Sequence, residues 1–319
     1  MQGGERYNSI NDFLKKEFGR KTVKLSIDAG FTCPNRDGSL AYGGCAFCSE
    51  GGSGELASHA SCSSIPDSSV IAANIHDSIT EQIERLSEKW PDAAYLAYFQ
   101  AFTNTYAPVS VLRRLYDAAL SDPRISGIVI ATRPDCLKDD VLDLLSEINS
   151  RHFMWVELGL QSIHKSTLEA MNTCYDAEAY DLAAAALSKR GIRFVTHLIL
   201  GLPGETHEMI LESLKHVCRL QPEPPFGIKL HLMNIVRNSR LYSMMPDYVP
   251  FASIDEYVDL VVDCLEIIPP EVTIHRLTGD VPRKYLVSPE WSYRKRTILN
   301  AINRELAIRD TYQGRLFSR

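Results

Sequence analysis

Three cysteines near the start of the chain have a spacing that suits an iron–sulfur cluster. Eleven residues separate Cys33 from Cys45, and two residues separate Cys45 from Cys48. Thiolates on one loop can hold three irons of a [4Fe–4S] cluster and leave the fourth iron open to an external ligand. Gly43 and Gly44 allow the loop to curl, so that backbone N–H groups can reach the cluster sulfides. We therefore predict that Cys33, Cys45 and Cys48 are cluster ligands.

A zinc site is the competing interpretation of these cysteines. Structural zinc takes four ligands, and His59 or Cys62 lies close enough in sequence to supply the fourth. The cluster is favoured because the three thiols share one glycine-rich loop directly after a predicted strand. The cysteines beyond this loop have no ligand spacing and are interpreted as ordinary reduced residues: Cys62, Cys136, Cys174, Cys218 and Cys264.

Composition and charge set the class of protein. Eight cysteines without a disulfide-type pattern, no apolar run of about 18 residues and a polar start predict a cytoplasmic protein without a membrane span. The net charge is −6, yet residues 1–25 carry six Lys and Arg against three acidic residues, and residues 272–319 carry ten against four. These basic ends are compatible either with docking of an anionic polymer or with ordinary solvated helix faces.

The elements that must position the cysteines alternate along the chain. Apolar runs predict strands, and the stretches between them predict amphipathic helices, which together indicate repeated βαβ units and a parallel sheet. The predicted strands are 23–28, 95–99, 127–132, 154–158, 194–200 and 228–232, followed by a strand-like 272–276. The predicted helices are 69–89, 109–120, 139–149, 177–190, 206–219, 253–268 and a basic helix over 290–309.

Six such units favour a barrel or partial barrel, in which the loops after the strands carry the chemistry. We divide the chain into a basic N-terminal segment (1–25), a core barrel (26–240) and a C-terminal extension (241–319).

Polar side chains at the ends of the predicted strands are candidates for catalysis (Arg133, Lys229 and His231) and for cofactor binding (Glu157). Arg133 follows the third strand and could clamp a carboxylate, or it could close the turn by pairing with Asp135. Glu157 lies in an otherwise apolar strand, where a carboxylate needs either a ligand or a structural partner. Lys229 and His231 alternate on the sixth strand, so both should face the same side of the sheet.

The cysteine loop and its surroundings resemble a bacterial radical S-adenosylmethionine (radical SAM) family related to the catalytic subunit of Elongator. The long-spaced cysteine signature within 24–48 carries the resemblance, which then continues through nearly the whole chain. The matching blocks are YFQAFTNTYAP (98–108), TRPDC (132–136), ELGLQS (157–162), LGLPGE (200–205), HRLTGD (275–280) and YQG (312–314).

The resemblance implies an α/β fold, a partial (β/α)6 TIM-type barrel with a C-terminal α/β extension. It also implies a [4Fe–4S] cluster, S-adenosylmethionine (SAM) as a second cofactor, and an electron donor such as flavodoxin or ferredoxin. The residues expected near SAM are Phe47, Gln100, Glu157, Gln161 and Gly201. For Gln100 the expectation concerns the backbone, because the Gly-Gly-Glu-like turn that usually holds the SAM amino group is missing from this chain.

Members of the family include an enzyme that converts 5-carboxymethylaminomethyluridine to 5-aminomethyluridine at the wobble position of transfer RNA (tRNA). The resemblance therefore implies a tRNA substrate. Lys295, Arg296 and Arg304 on the basic helix are the expected phosphate contacts, because they point partly away from its apolar face. Two alternatives stay open: a radical SAM enzyme acting on a small metabolite or peptide, and a zinc-stabilised binding module.

Overall fold

The computed structural model of the chain describes residues 6–52, 57–59 and 68–318. The strands in these ranges are β1 (Thr22–Asp28), β2 (Ser58–His59), β3 (Ala94–Phe99), β4 (Ile125–Thr132), β5 (Phe153–Gln161), β6 (Phe194–Leu200), β7 (Gly227–Leu232), β8 (Ile235–Val236), β9 (Thr273–Arg276) and β10 (Leu286–Ser288). Eight of them form one parallel sheet in the order β2-β1-β3-β4-β5-β6-β7-β9. β8 and β10 pair separately as an antiparallel ribbon.

Helices cover the outer face of the sheet, so that strands such as β3 are buried along their whole length. The helices are α1 (Ile10–Phe18), α2 (Ser68–Ser87), α3 (Val109–Leu120), α4 (Asp139–Asn149), α5 (Lys165–Ala170), α6 (Ala177–Lys189), α7 (His207–Arg219), α8 (Arg240–Met244), α9 (Ile254–Ile267) and α10 (Lys295–Ile308). Short 3-10 turns occupy Pro134–Cys136 and Glu290–Tyr293. None of the helices in the described ranges is long and apolar enough to cross a membrane.

Side-chain caps fix where several of these helices begin. A Ser, Thr or Asp oxygen accepts a hydrogen bond from a backbone N–H of the first turn, which would otherwise have no partner there. The capping residues in the described part of the chain are Ser9, Asp176, Thr206, Ser239 and Ser253. The caps at Asp176 and Thr206 start the helices that follow β5 and precede β7, so they help to set the βα geometry.

The inside of the curved sheet is layered. An apolar layer of residues such as Leu96, Trp155 and Val195 fills the end where the strands begin. Helix α1 closes this end by packing Phe13 and Leu14 against that layer. Polar and charged side chains lie further along the strands, toward their carboxyl ends. The layers direct any ligand to the carboxyl end of the sheet, as in other barrels with βα units.

The two ends of the chain differ in their position relative to this opening. Arg6 donates a hydrogen bond to the carbonyl of Thr311, and Ser9 forms a β-bridge with Ile274, so the N-terminal segment packs beside the C-terminal tail. With α1 at the closed end, residues 6–25 lie away from the opening, apart from Lys24, which pairs with Glu157. Docking of an anionic polymer on the basic ends stays a prediction.

The strand-like segment at 272–276 belongs to the main sheet. As β9 it pairs in parallel with β7, with Lys229 opposite Arg276. The C-terminal extension thus contributes a wall to the barrel, and its helices α9 and α10 pack on one another through residues such as Val258 and Ile302. The chemistry of β9 must be considered together with that of the other strands.

Candidate active site

The loop after β1 folds into a compact cup that carries the three cysteines. Arg36 binds it together by donating hydrogen bonds to the carbonyls of Ser49 (2.9 Å) and Glu50 (3.0 Å). From the other side of the barrel, the side-chain amide of Asn172 donates to the carbonyl of Gly44 at 2.8 Å. Gly44 has a φ of 74°, which a glycine adopts without strain. These contacts hold the loop at the carboxyl end of the sheet.

Polar side chains hydrogen-bond the cysteine sulfurs. Asn35 Nδ2 donates to Cys45 Sγ at 3.2 Å, and Thr103 Oγ1 lies 2.9 Å from Cys33 Sγ. The hydrogen bond from the Cys48 thiol lowers the pKa of Cys45 to about 7, and Arg133 and Asn35 act in the same direction. Burial raises the pKa of Cys33, and the hydrogen bond to Cys45 together with burial raises the pKa of Cys48, so ligation of iron must displace the protons of these two thiols.

The donor set fits a cluster better than a single ion. Cys33, Cys45 and Cys48 all line one cavity at the open end of the barrel. Within the described residues, no group of three or more His, Cys, Asp or Glu side chains is arranged to hold one metal ion. In a four-iron cluster each thiolate binds a different iron. The three sulfurs therefore need not converge on one position, as the ligands of a single metal ion must. Of the zinc ligands proposed above, Cys62 and the side chain of His59 lie outside the described residues.

Arg133 lies beside the cysteines and forms the pair with Asp135 that closes the turn. Its Nε and Nη2 donate to the two carboxylate oxygens of Asp135 at 2.9 and 2.7 Å, a bidentate arrangement. Its guanidinium also lies 4.9 Å from the ring of Tyr175. Nη1 is buried without a hydrogen-bond partner. The turn-closing interpretation is therefore correct for two of the nitrogens, and the third is a buried donor without a partner in a residue that lines the cavity.

A charged network crosses the floor of the cavity around Glu157. The carboxylate is fully buried and pairs with Lys229 and, at 3.0 Å, with Lys24. Tyr98 donates its hydroxyl hydrogen to the same carboxylate, and His197 Nε2 lies 3.1 Å from Oε2. Glu157 thus has the structural partners that a buried carboxylate requires.

Burial and charge perturb the titration of this network. The nearby lysines hold the pKa of Glu157 well below its usual range despite its burial, which acts in the opposite direction. Burial, reinforced by Lys229, lowers the pKa of His197 to about 4. Burial also lowers the pKa of Lys229 well below its usual range, and the Glu157 carboxylate opposes this shift. At neutral pH the floor therefore contains an ionised glutamate and a neutral histidine.

Most of the predicted cofactor-contacting residues line this cavity. Phe47, Gln100, Glu157 and Gln161 are among its lining residues, and so are the candidate catalytic residues Arg133, Lys229 and His231. Gly201 is the predicted cofactor contact that is not among the lining residues. It packs against Pro250 and Phe251, and its carbonyl accepts a hydrogen bond from Tyr248. Ile199, two residues earlier in β6, presents the apolar surface there instead.

Gln161 lies in an unusual backbone conformation at the end of β5. Its φ of 72° is rare for a residue with a side chain, and the register between β5 and β6 shifts between Gly159 and Gln161. A Cβ at Gly159 would lie 2.8 Å from the amide nitrogen of Gln161, so the side chain folds back over this glycine. The strained turn keeps the amide at the cavity wall. Backbone strain of this kind is often found at functional sites.

At the mouth of the cavity, β7 and β9 present a second polar group. Arg276 Nη1 donates to His231 Nδ1 at 3.5 Å, and Nη2 lies 3.7 Å from a carboxylate oxygen of Asp280. Lys295, at the start of α10, pairs with the other oxygen of Asp280. Lys295 is therefore at the mouth. Arg296 and Arg304 are exposed on α10 and do not line the cavity.

Several site residues were missed in the sequence. Lys24 and His197 follow the same alternation that identified Lys229, so the strand pattern could have indicated them. Arg276 lies in one of the blocks that carry the family resemblance. Asn35, Thr103 and Asn172 give no periodic signal, because loops from distant parts of the sequence bring them to the cysteines.

Comparisons with known proteins identify the family. The Radical SAM superfamily model matches residues 33–217, and the Radical_SAM C-terminal domain model matches residues 225–307. The uncharacterized protein YtqA of Bacillus subtilis (strain 168) is 45% identical over 99% of this chain and 94% of its own length.

More distant similarities extend to Elongator-type proteins. A tRNA uridine(34) acetyltransferase of Methanocaldococcus jannaschii is 24% identical over 52% of this chain and 30% of its own length. The solved structure of the archaeal Methanocaldococcus infernus Elp3 superposes with a TM-score of 0.62 at 18% identity, over 76% of this chain and 60% of that one, which supports the fold. This chain belongs to the radical SAM superfamily, whose members use a [4Fe–4S] cluster and S-adenosylmethionine.

Proposed function

We propose that this radical SAM enzyme modifies the wobble uridine of tRNA, converting 5-carboxymethylaminomethyluridine to 5-aminomethyluridine. The observation that carries the proposal is the continuity between cavity and basic surface. Asp280 lines the cavity and pairs with Lys295, the first residue of α10. A basic surface thus begins at the mouth, where a nucleic acid must dock if one of its bases is to enter.

The basic surface also carries aromatic rings that suit RNA. The guanidinium groups of Arg283 and Arg294 lie 4.6 and 5.5 Å from the ring of Tyr293, which is 39% exposed. Single-stranded RNA is bound by such combinations of cations and stacking rings. Arg296 and Arg304 extend the surface along α10, with Arg304 about 14 Å from the start of the helix at 1.5 Å per residue. The similarity to a tRNA uridine(34) acetyltransferase supports the same substrate class.

The cofactors supply a radical that removes a hydrogen atom from the substrate, and the protein positions and shields the reacting groups. Cys33, Cys45 and Cys48 would hold the cluster. The cavity wall formed by Phe47, Ile199 and the Gln100 and Gln161 positions would hold SAM. Glu157, with Lys229, would support the polar end of that site from below.

The proposed reaction is an oxidation of the carboxymethylamino group to an imine, followed by hydrolysis. The methylene between the amine and the carboxylate would lose a hydrogen atom to the radical that the bound cofactors supply. Loss of one electron to the ferredoxin or flavodoxin partner and of one proton to solvent would then give an imine. Water adds to the imine, the C–N bond breaks, and the products are the aminomethyl base and glyoxylate.

The test is turnover of a defined tRNA by the reconstituted chain. With SAM and a reductant, tRNA bearing 5-carboxymethylaminomethyluridine should yield 5-aminomethyluridine, glyoxylate and 5′-deoxyadenosine, detected by mass spectrometry. In cells that lack the gene, the carboxymethylaminomethyl nucleoside should accumulate. Unchanged tRNA in both experiments, together with 5′-deoxyadenosine formation stimulated by a small metabolite or a peptide, would contradict the tRNA substrate.

A further inference from the structure

The β7–β9 wall of the cavity carries more positive than negative charge. Its titratable groups belong to the floor network and the mouth. On the floor, Glu157 pairs with Lys24 and with Lys229, although burial lowers the pKa of Lys229 well below its usual range. At the mouth, Asp280 faces Arg276 on β9 and Lys295 at the start of α10, so each carboxylate has more than one basic partner. His197 and His231 add no charge at neutral pH, because burial lowers the pKa of both. A cavity wall with this excess of positive charge attracts an anionic group.

Arg276 is the cation on this wall that is best placed to bind such a group. Lys229 is only 3% exposed and is held by Glu157, and Lys295 lies outside at Asp280. Arg276 is 26% exposed, and the contacts given above for its guanidinium, 3.5 and 3.7 Å, are long. By contrast, Arg133 is fixed at 2.9 and 2.7 Å. A planar guanidinium with loosely held donors matches a carboxylate, which it can bind through two parallel hydrogen bonds.

His231 is positioned to complete the same subsite. Its Nδ1 accepts from Arg276, which assigns the ring proton to Nε2. A neutral imidazole in this tautomer offers one N–H donor. Both side chains line the cavity, on adjacent strands of the sheet.

We propose that Arg276, assisted by His231, binds the carboxylate of the substrate side chain and thereby selects carboxymethylaminomethyluridine over its product. The inference rests on the proposed function and adds a specificity-determining residue to it. Loss of the carboxylate in the reaction removes the group that Arg276 holds, which favours product release. The SAM carboxylate is assigned elsewhere: Arg133 and Arg36 are the arginines close enough to act on Cys33 and Cys45, and Nη1 of Arg133 has no hydrogen-bond partner.

The experiment measures the affinity of two tRNAs for the reconstituted full-length protein with SAM and without reductant, so that no turnover occurs. The tRNAs differ only in bearing carboxymethylaminomethyl or aminomethyl at the wobble uridine. The parent should prefer the carboxylate-bearing tRNA by about tenfold or more, the usual strength of a charged hydrogen bond. Arg276→Gln should bind the two tRNAs within about twofold of each other, and Arg276→Lys should retain part of the preference.

Arg219→Gln is the matched control, because this arginine is exposed in the last turn of α7. It should keep the preference of the parent. SAM affinity and thermal stability of Arg276→Gln should equal those of the parent, which shows that the variant folds.

Three results would overturn the carboxylate assignment: an unchanged preference in Arg276→Gln, an equal loss of affinity for both tRNAs, or a loss of SAM affinity. The second would make Arg276 a phosphate contact and the third a cofactor contact. If the parent converts the tRNA under reducing conditions but shows no preference, only the inference fails. If the parent does not convert the tRNA at all, the proposed function fails with it.

Discussion

The floor and the mouth of the cavity are built from similar residues but are held in different ways. On the floor, Glu157 is surrounded by donors on four strands, among them Lys24 on β1 and Lys229 on β7. At the mouth, Arg276 makes longer contacts to His231 and Asp280, and Arg296 and Arg304 on α10 are exposed to solvent. The floor therefore has its interactions completed within the protein, whereas the mouth offers groups whose interactions a ligand can complete.

This difference separates stability from binding. A buried ion pair loses much free energy when one partner is removed, because the other charge is left without compensation. An exposed cation costs little to replace in the free protein but can be important to an anionic ligand. We expect floor variants to change the free energy of unfolding and mouth variants to change affinity.

The largest effect is expected for Glu157→Gln. Removing the carboxylate leaves Lys24 and Lys229 without their anionic partner, and we expect the free energy of unfolding to fall by about 3–5 kcal/mol. Chemical denaturation measures this value. Glu147→Gln is the control, because Glu147 pairs with Arg113 and Arg151 at the surface. We expect this change to cost less than about 1 kcal/mol.

The same variant tests whether Glu157 also contacts SAM. A direct contact predicts SAM affinity weakened by about tenfold, since a charged hydrogen bond is lost. If Glu157→Gln retains both the stability and the SAM affinity of the parent, the ion pairs of Glu157 on the floor do not stabilise the protein as described above.

The second effect concerns pH. The unfolded chain protonates His197 near the ordinary histidine pKa of about 6.5, whereas the folded protein does so only near pH 4. Between these values the unfolded state binds more protons, so the free energy of unfolding should fall as pH decreases from 6.5 toward 4. Burial of His231 and His275 acts in the same direction.

Replacing His197 by Gln should make this pH dependence shallower, by up to about 1 kcal/mol per pH unit, which corresponds to less than one proton. We expect less than a full proton because 23% of the side chain is exposed. Denaturation series at pH 6.5 and 5 measure the change, and the exposed His152 replaced by Gln is the control. An equal pH dependence in parent and His197→Gln would show that this histidine titrates normally.

The smallest effect is expected on the exposed surface of α10. Arg296→Glu combined with Arg304→Glu should weaken tRNA binding several-fold at low salt. The slope of log K against log salt concentration should also become shallower, by an amount that corresponds to about two phosphate contacts. The reversal avoids Lys295, whose pairing with Asp280 would confuse the result. Lys189→Glu with Arg219→Glu, on the exposed ends of α6 and α7, is the matched control. Unchanged binding in the α10 variant would remove this helix from the docking surface.

The strand pattern predicted the barrel well because these strands are apolar and regularly spaced. Five of the six core strands agree within about two residues at each end, but β5 extends to Gln161 beyond the predicted end at 158. Gly159 interrupted the apolar run although the strand continues through it. The two-residue strands β2 and β8 and the three-residue β10 are too short to produce a pattern. Helix α10 starts at Lys295 because a 3-10 turn occupies Glu290–Tyr293.

The site was predictable where one segment carried the signal. The spacing of Cys33, Cys45 and Cys48, and the alternation of Lys229 and His231, led to residues that line the cavity. The partners of Glu157 were not predictable, since they come from strands far apart in sequence. Gly201 has a φ of 89° and lies against Phe251, a position that no local pattern reveals, and its proximity to SAM stays a prediction.

The measurement that tests the account most directly is the iron content of cysteine variants. After anaerobic reconstitution, the parent should bind about four iron and four sulfide per chain. Cys33→Ala, Cys45→Ala and Cys48→Ala should each lose the cluster and its absorption, whereas Cys218→Ala should keep both. The parent and Cys218→Ala should form 5′-deoxyadenosine from SAM, whereas Cys33→Ala, Cys45→Ala and Cys48→Ala should not. A parent that takes up zinc but no iron, or a Cys45→Ala variant with a full cluster, would contradict the assignment of these three cysteines.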